Sequence, residues 1–422
     1  MERQLRILLV GINYSPEIIS IAVYSTGMAE FLAKRGHTVE VVTAHPYFPE
    51  WRAREGWGGL RWVKEHVGGV EVTHCPIYIP GNPSGVRRIL HHASFALSSL
   101  PVLMLKVIRG KYDVVFVVAP SLVAAPVGAL AARLSGAKAW LHIQDFEVEA
   151  AFATGLISQQ SLIGRLAVRF ERWTMRMFDR VSTISPQMRR RLVEKGIPQD
   201  ETVEFRNWSD IEAIKPLDRP SPLKAELGLT EKMLVLYSGN LGKKQGLEAV
   251  VGAAARLQDR GDIAFVIAGD GPLRSDLEHL AAGLSNVVFI PLQPYGRLSD
   301  LLGMASVHVL PQMADAADLV LPSKLINMLA SGRPIVATAM PHTGIWEEVQ
   351  GAGVVVPPGD TEALAHAISD LIDDPIRMET LGKAARAKAI ERWDIANILS
   401  GLQGDLASLT KTATLERGQK TA

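Results

Sequence analysis

The chain has 422 residues, too many for one typical hydrophobic core, so two domains is the starting expectation. Hydrophobic residues make up 47% and charged residues 21%, enough apolar matter for two cores, while a formal net charge of +1 argues against a nucleic-acid partner and leaves anion binding to local clusters. A single cysteine, Cys75, excludes an internal disulfide framework and a cysteine-rich metal site and fits a reducing cytoplasm.

A strand pattern begins at Leu5 with no charged-then-apolar leader before it, so no secretory signal is expected. Apolar strand-like runs then alternate with helical patterns, the signature of parallel sheets with crossover helices. Strands are expected at 6–12, 38–43, 70–74, 113–118, 137–143 and 180–184, and in a second series at 233–238, 263–268, 287–291, 307–310, 335–338 and 353–356. The break between the series, 209–230, is rich in Pro, Asp and Lys and reads as an interdomain linker. Residues 1–208 then make one Rossmann-like α/β domain and 231–390 a second. A helix over 391–408 is expected to pack back on the first domain, and the polar, aperiodic tail 409–422 is expected to be disordered. Both halves begin alike: FLAKRGHTVEVV at 31–42 and ARLQDRGDIAFV at 255–266 each read as a helix ending at glycine and then a strand. Doubly wound sheets bind ligands beyond their C-terminal strand ends, so two facing sheets would enclose a central cleft. Among apolar runs, 93–105 comes nearest to a membrane span, but it is short and contains Pro101.

The strongest local signal is LVLYSGNLGKKQGLE at 234–248, where a buried-strand pattern breaks into glycines and lysines and restarts as a helix. Gly239 and Gly242 let the backbone approach a ligand, the helix start turns unpaired N–H groups toward it, and Lys243 and Lys244 add full charge. Solvated surface lysines are the alternative, but cations are disfavoured at that end of the helix dipole unless an anion is bound. Downstream, LPSKL at 321–325 puts Ser323 and Lys324 before another helix, Ser323 reading as an N-cap, a phosphate contact, or both. Two such sites in one half of the chain suggest a diphosphate. Gly269 and Gly271 in AGDGP are a weak phosphate-loop signal alone, lacking the third glycine of a dinucleotide fingerprint. In the first half, His142 reads either as a core histidine or, with Asp145 and Glu147 beside it, as a group at the mouth of a cleft. Glu17 reads as a helix-end charge or a sugar ligand. Acidic pairs at 145/147, 315/318 and 373/374 are possible metal ligands, but with two lysines placed for a diphosphate no divalent ion is needed, and no cofactor is expected.

GINYSPE at 11–17, GH at 36–37, LHIQD at 141–145, YSGNLGKKQG at 237–246, AGDGP at 268–272, LPSKL at 321–325 and ASGRP at 330–334 together resemble the GT4 retaining glycosyltransferases, in order over about residues 5–400. The resemblance is to the type that builds colanic acid and related bacterial exopolysaccharides or O-antigens. It implies a GT-B fold, a nucleotide-sugar donor held mainly by the second domain, an acceptor on the first, and no obligatory metal. Carried onto this chain, His142, Lys244, Lys324 and Asp318 become the catalytic candidates. Gly239, Asn240, Gly242, Gly269, Gly271, Gln293, Ser323 and Asn327 become donor contacts, and Glu17, Asp145 and Asn207 acceptor-side groups; Asn207 also reads as a simple turn residue.

The departures matter as well. The family's spaced glutamate pair stands here as Leu319 and Asn327, with Asp318 beside the missing first one. Its glycine-rich first-domain loop reads Ser20-Ile21-Ala22, and its donor-loop arginine is Asn240. The acceptor is expected to be a lipid-linked saccharide, because 86–109 is apolar with basic ends and 165–180 interleaves arginines with aromatics; both read equally as core helices with solvated basic faces. The protein is then expected in the cytoplasm, peripheral on the anionic inner face of the membrane. A nucleotide-sugar 2-epimerase of the same architecture and a non-enzymatic nucleotide-binding protein are the rival readings.

Overall fold

The computed structural model describes residues 3–17, 21–81, 85–153, 156–209, 211–242, 245–313 and 321–420. The chain divides into two compact units, Met1–Asn207 with Leu399–Ala422, and Trp208–Ile398.

The first unit contains β1 (Arg6–Gly11), α1 (Ile21–Lys34), β2 (Thr38–Ala44), β3 (Val63–Val67), β4 (Val70–Cys75), α2 (Gly85–Arg109), β5 (Val114–Ala119), α3 (Ala125–Ser135), β6 (Lys138–Ile143), α4 (Glu147–Ala153), α5 (Leu162–Met175), β7 (Arg180–Thr183), α6 (Pro186–Glu194) and β8 (Thr202–Glu204). Its sheet has the order β3-β4-β2-β1-β5-β6-β7-β8. Apart from β3 at the sheet edge, the strands are short runs largely covered on both faces and rich in β-branched residues; β5, VVFVVA, is buried at every position. β1 sits at the centre, Ile7 lying opposite Val39 on one side and Val114 on the other. The order reverses between β1 and β5, where such sheets leave a crevice for ligands.

The second unit contains α7 (Pro222–Glu226), β9 (Met233–Ser238), α8 (Glu248–Arg256), β10 (Ile263–Ala268), α9 (Arg274–Leu280), β11 (Val287–Ile290), α10 (Leu298–Gly303), β12 (Val307–Leu310), α11 (Ser323–Ala330), β13 (Ile335–Thr338), α12 (Gly344–Val349), β14 (Gly353–Val356), α13 (Thr361–Ile372) and α14 (Pro375–Trp393). Its sheet is parallel in the order β11-β10-β9-β12-β13-β14, with β9 central and the reversal between β9 and β12. Leu234 and Leu236 enter the core on one face of β9, and Val235 and Tyr237 the core on the other.

Several expectations are corrected. The expected strands form, but two more join the first sheet. β3 pairs antiparallel with β4 across Gly68-Gly69, both glycines at positive φ, a two-residue hairpin turn. The segment read as a linker is packed rather than free: Ile211, Ile214 and Leu223 are buried in the second unit's core, and Arg386 Nη1 donates to the carbonyls of Ile211 and Ile214. The last helix, α15 (Ile395–Lys420), runs through the stretch read as a disordered tail, and Leu399–Ala422 belong to the first unit. α2 continues through Pro101, which is exposed, and is long and apolar enough by length and composition to cross a membrane. It packs one stripe, His91, Phe95, Ser99 and Leu103, inward, the spacing of a helix lying on a core.

Candidate active site

In the second unit the loops that leave β9 and β10 run side by side. Gly239 N–H donates to the Ala268 carbonyl (2.9 Å), Leu241 N–H to that of Asp270 (2.9 Å) and Leu273 N–H to that of Leu241 (3.0 Å). Gly269 has φ +147, and a Cβ there would overlap the Gly239 carbonyl oxygen, so this close approach requires glycine. The Gly271 N–H donates to its neighbour's carboxylate, Asp270 Oδ1 (2.8 Å), which tightens the second loop. Asn240 and Gly242 lie in the first loop, Asn240 with its carbonyl accepting the Tyr237 hydroxyl (2.7 Å).

Lys324 reaches this corner from the first turn of α11. Its Nζ lies 3.1 Å from the Tyr237 hydroxyl and 4.5 Å from the centroid of that ring. Among the described residues no carboxylate pairs with it. Burial pulls its pKa down to about 8, because a desolvated ammonium is costly without a counter-charge. The N-terminal end of a helix is itself positive, which compounds the cost. An ammonium at a helix N-terminus, at the reversal point of the sheet, has the chemistry to accept an anion.

Ser323 begins α11. Asn327 accepts the Ser209 hydroxyl (2.7 Å), so its oxygen braces the start of the unit. Gln293, beyond β11, donates from Nε2 to the Pro291 carbonyl of its own loop (3.0 Å). Lys243, Lys244, Asp318 and Leu319 lie outside the described residues.

The first unit uses its polar groups differently. Glu17 is buried, with Oε1 accepting the Tyr47 and Phe48 amides (both 2.9 Å) and Oε2 the Asn13 side-chain amide (2.8 Å). It is a brace between the loops after β1 and β2, a correction to its reading as a helix-end charge or sugar ligand. His142 is also corrected. Its side chain is buried against Phe116 and Phe205, with Nδ1 on Ser182 Oγ (2.9 Å), and burial pushes its pKa down to about 3. At neutral pH the imidazole is therefore held in its neutral form within the core of the unit. Asn207 forms a reciprocal amide pair with Gln144 (2.9 and 3.0 Å), which ties the end of the unit to the end of β6. Asp145 alone among these candidates has an exposed side chain. Glu147, two residues on, accepts the Ser121 and Leu122 amides (2.6 and 2.7 Å), and burial raises its pKa to about 7. Among the described residues no group of three or more His, Cys, Asp or Glu side chains is placed to hold a metal ion.

Two features went unnoticed in the sequence. Tyr237 stands in the sequence as the end of an apolar strand and the first residue of the YSGNLGKKQG motif, with no role of its own assigned to it, although a tyrosine ahead of the first loop glycine is the available signal. The loop HPYFPEW at 45–51 builds an aromatic cluster in which Tyr47, Trp51 and His91 touch, Arg88 lies 5.4 Å over the Trp51 ring, and Trp51 holds φ +50. Its density of aromatics and prolines was the signal there.

Comparison with known proteins follows this division. Residues 21–208 match the model of a glycosyl transferase 4-like domain, and residues 222–388 that of glycosyl transferases group 1. The chain is 40% identical over 412 residues to a putative colanic acid biosynthesis glycosyl transferase, WcaI, of Escherichia coli, covering 95% of this chain and 100% of that one. It is 29% identical over 201 residues to a GDP-mannose-dependent phosphatidylinositol monomannoside mannosyltransferase of Mycolicibacterium smegmatis, covering 44% and 52% of the two chains. Among solved structures it is similar to a sucrose-phosphate synthase of Thermosynechococcus elongatus (TM-score 0.70, 19% identity, 97% and 100% covered). It is also similar to HepE of Anabaena in complex with UDP-glucose (TM-score 0.65, 17% identity, 96% and 100% covered).

Proposed function

The chain belongs to the GT4, or group 1, glycosyltransferases and has the GT-B fold, and from that premise we propose that it moves a sugar, with retention, from a GDP- or UDP-linked donor to a lipid-linked glycan in exopolysaccharide or O-antigen assembly. The observation that carries the donor side is Lys324: a partly buried cation at a helix N-terminus, beside two glycine-lined strand ends and without a carboxylate partner among the described residues. Departure of a nucleoside diphosphate develops negative charge on its β-phosphate, and a preorganised ammonium with helix N–H groups stabilises that charge as it forms. The acceptor hydroxyl then adds on the face the leaving group vacates, with the departing phosphate taking its proton. Such a route asks for no protein carboxylate as base, and Glu17 and Glu147 are already engaged by backbone amides. The HepE complex with UDP-glucose supports a uridine donor, and the mannosyltransferase relative a guanosine one. The WcaI relative supports a colanic-acid-type product.

The acceptor side is supported by an exposed apolar and basic surface on the first unit. Val86 is 71% exposed, Leu97 72% and Ile108 80% along α2, and Ile163 is 66% exposed at the start of α5. Leu156 lies against Gly85, which joins the start of α2 to the approach to α5, and exposed Arg87, Arg88, Arg165 and Arg169 flank them. On the cytoplasmic leaflet each such basic residue contributes about 1 kcal/mol, and the apolar side chains sink into the interface. The protein on this reading docks peripherally on the inner face of the membrane, where its acceptor is presented.

A panel of GDP- and UDP-sugars measured by thermal stabilisation tests the donor. A ligand at 100 times its dissociation constant adds about 2.7 kcal/mol, and silence across the panel would remove the reading. Incubation with the stabilising sugar alone separates transfer from epimerisation, since an epimerase alters the donor without an acceptor. Flotation with anionic liposomes at low salt tests the surface. Failure to float, or binding unchanged after Arg87, Arg88 and Arg165 are reversed to glutamate, would require an acceptor delivered some other way.

A further inference from the structure

We propose that Tyr237 is a positioning residue of the donor site, its hydroxyl fixing at once the diphosphate loop and the cation that faces it. The inference rests on the reading of Lys324 as a diphosphate contact. Tyr237 is the penultimate residue of β9, fully buried, with its ring in the core face shared by Leu241, Leu247 and Val250. Lys324 comes from α11, whose Leu325, Met328 and Leu329 pack on the opposite face of the sheet, so it crosses the strand end to meet the phenol. The hydroxyl donates to the Asn240 carbonyl (2.7 Å), leaving its oxygen lone pairs to accept from Lys324 Nζ (3.1 Å). Both bonds are made together only with that donor direction, because an ammonium offers no acceptor and a carbonyl offers no donor.

Two consequences follow. The bond turns the Asn240 carbonyl, an acceptor that would repel phosphate, into the protein. It also restrains a long, flexible side chain over the ring, where the cation–π contact of 4.5 Å adds to the hold. Gly239 lies close above: a Cβ there would stand 3.6 Å from the hydroxyl and 3.5 Å from Lys324 Cδ. Loop, phenol and lysine are one packed unit.

The test uses the full chain and a double-mutant cycle of Tyr237→Phe and Lys324→Ala, with UDP and GDP as probes in calorimetry between about pH 7 and pH 9. In the parent background Tyr237→Phe is expected to weaken whichever diphosphate binds by about tenfold, the order of one hydrogen bond to a charged group. It is also expected to move the alkaline loss of binding to lower pH, because the ammonium has lost an acceptor. In the Lys324→Ala background the same change is expected to cost nothing further. Thermal unfolding of all four proteins reads any packing cost separately. Parent-like affinity and pH profile in Tyr237→Phe, or an equal loss in both backgrounds, would overturn the positioning role while leaving the donor reading in place. Parent-like binding of both nucleotides by Lys324→Ala would overturn the donor reading and the proposal with it.

Discussion

At the C-terminal edge of the first sheet the buried carboxylates are engaged by the protein itself, whereas at the same edge of the second sheet a cation stands without a carboxylate among the described residues. Glu17 and Glu147 each accept two backbone amides that loops would otherwise leave unpaired. Among the described residues Lys324 meets only the Tyr237 phenol, at a helix end of its own sign. The contrast teaches that a charged residue beyond a strand marks a ligand site only when the fold leaves its charge unanswered. Answered charges are scaffold. The edges differ in backbone too: the first is stitched by side chains, the second by carbonyls and amides of two glycine-bearing loops in direct contact.

The contrast breaks most severely at Gly269. Substitution by alanine places a Cβ onto the Gly239 carbonyl at a φ that L residues rarely adopt, and the expected cost is about 3 kcal/mol or more together with loss of nucleotide binding. Urea denaturation and calorimetry with UDP and GDP check both; a stable, binding variant would mean the loops do not form the donor site.

Next in size is Lys324→Ala, expected to lower kcat/KM by about 10- to 100-fold or more while leaving the unfolding midpoint level or higher. A large fall in stability would instead make the lysine structural and erase the difference between the two edges.

Glu147→Gln sharpens the other side of the contrast. The Glu147 pKa is raised by burial from its ordinary 4.5 to about 7, so its contribution to stability is complete below about pH 4.5 and is lost as pH rises to 7. The stability of the parent relative to the variant is expected to decline across that window by on the order of 2 kcal/mol, with transfer kinetics little changed. Paired denaturation curves at several pH values measure it, and a difference independent of pH would deny the buried carboxylate.

The smallest effect on activity is expected from His142→Leu, with kcat and KM within about twofold of the parent. Its consequence lies in acid. The histidine pKa is lowered from 6.5 to about 3, so its neutral burial favours the fold above pH 6.5 and that contribution is lost as pH falls toward 3. The leucine variant is expected to be less sensitive over that range. A collapse of turnover at neutral pH would restore His142 as a site residue.

Much of the architecture could be read in the chain without its fold. Strand positions follow from short runs such as VVFVVA and IAFVIA, whose composition suits strands buried on both faces, and the glycines after β9 and β10 announce where the backbone must come close. Other features left little record. β3, VKEHV, has no apolar run because both its faces are largely exposed at the sheet edge, and only the paired glycines after it betray a hairpin. Residues 209–230 have the composition of a linker, yet Ile211, Ile214 and Leu223 find a core, since three apolar side chains suffice to anchor a short segment once a groove exists.

The sequence by itself determined which elements form and which loops carry glycine and charge, because hydrophobic period, turn chemistry and helix-end signals act within a few residues of each other. Only the tertiary structure decided which charges are free. Glu17 and His142 look functional in isolation and prove internal, because their partners, Tyr47, Phe48, Ser182 and Phe205, lie on other strands and loops far along the chain. Tyr237 looks like core filling and proves to hold Lys324, eighty-seven residues away, because the reversal of strand order brings β9 beside the start of α11. Whether a polar group is satisfied depends on what surrounds it in space, and no local pattern in a chain records that.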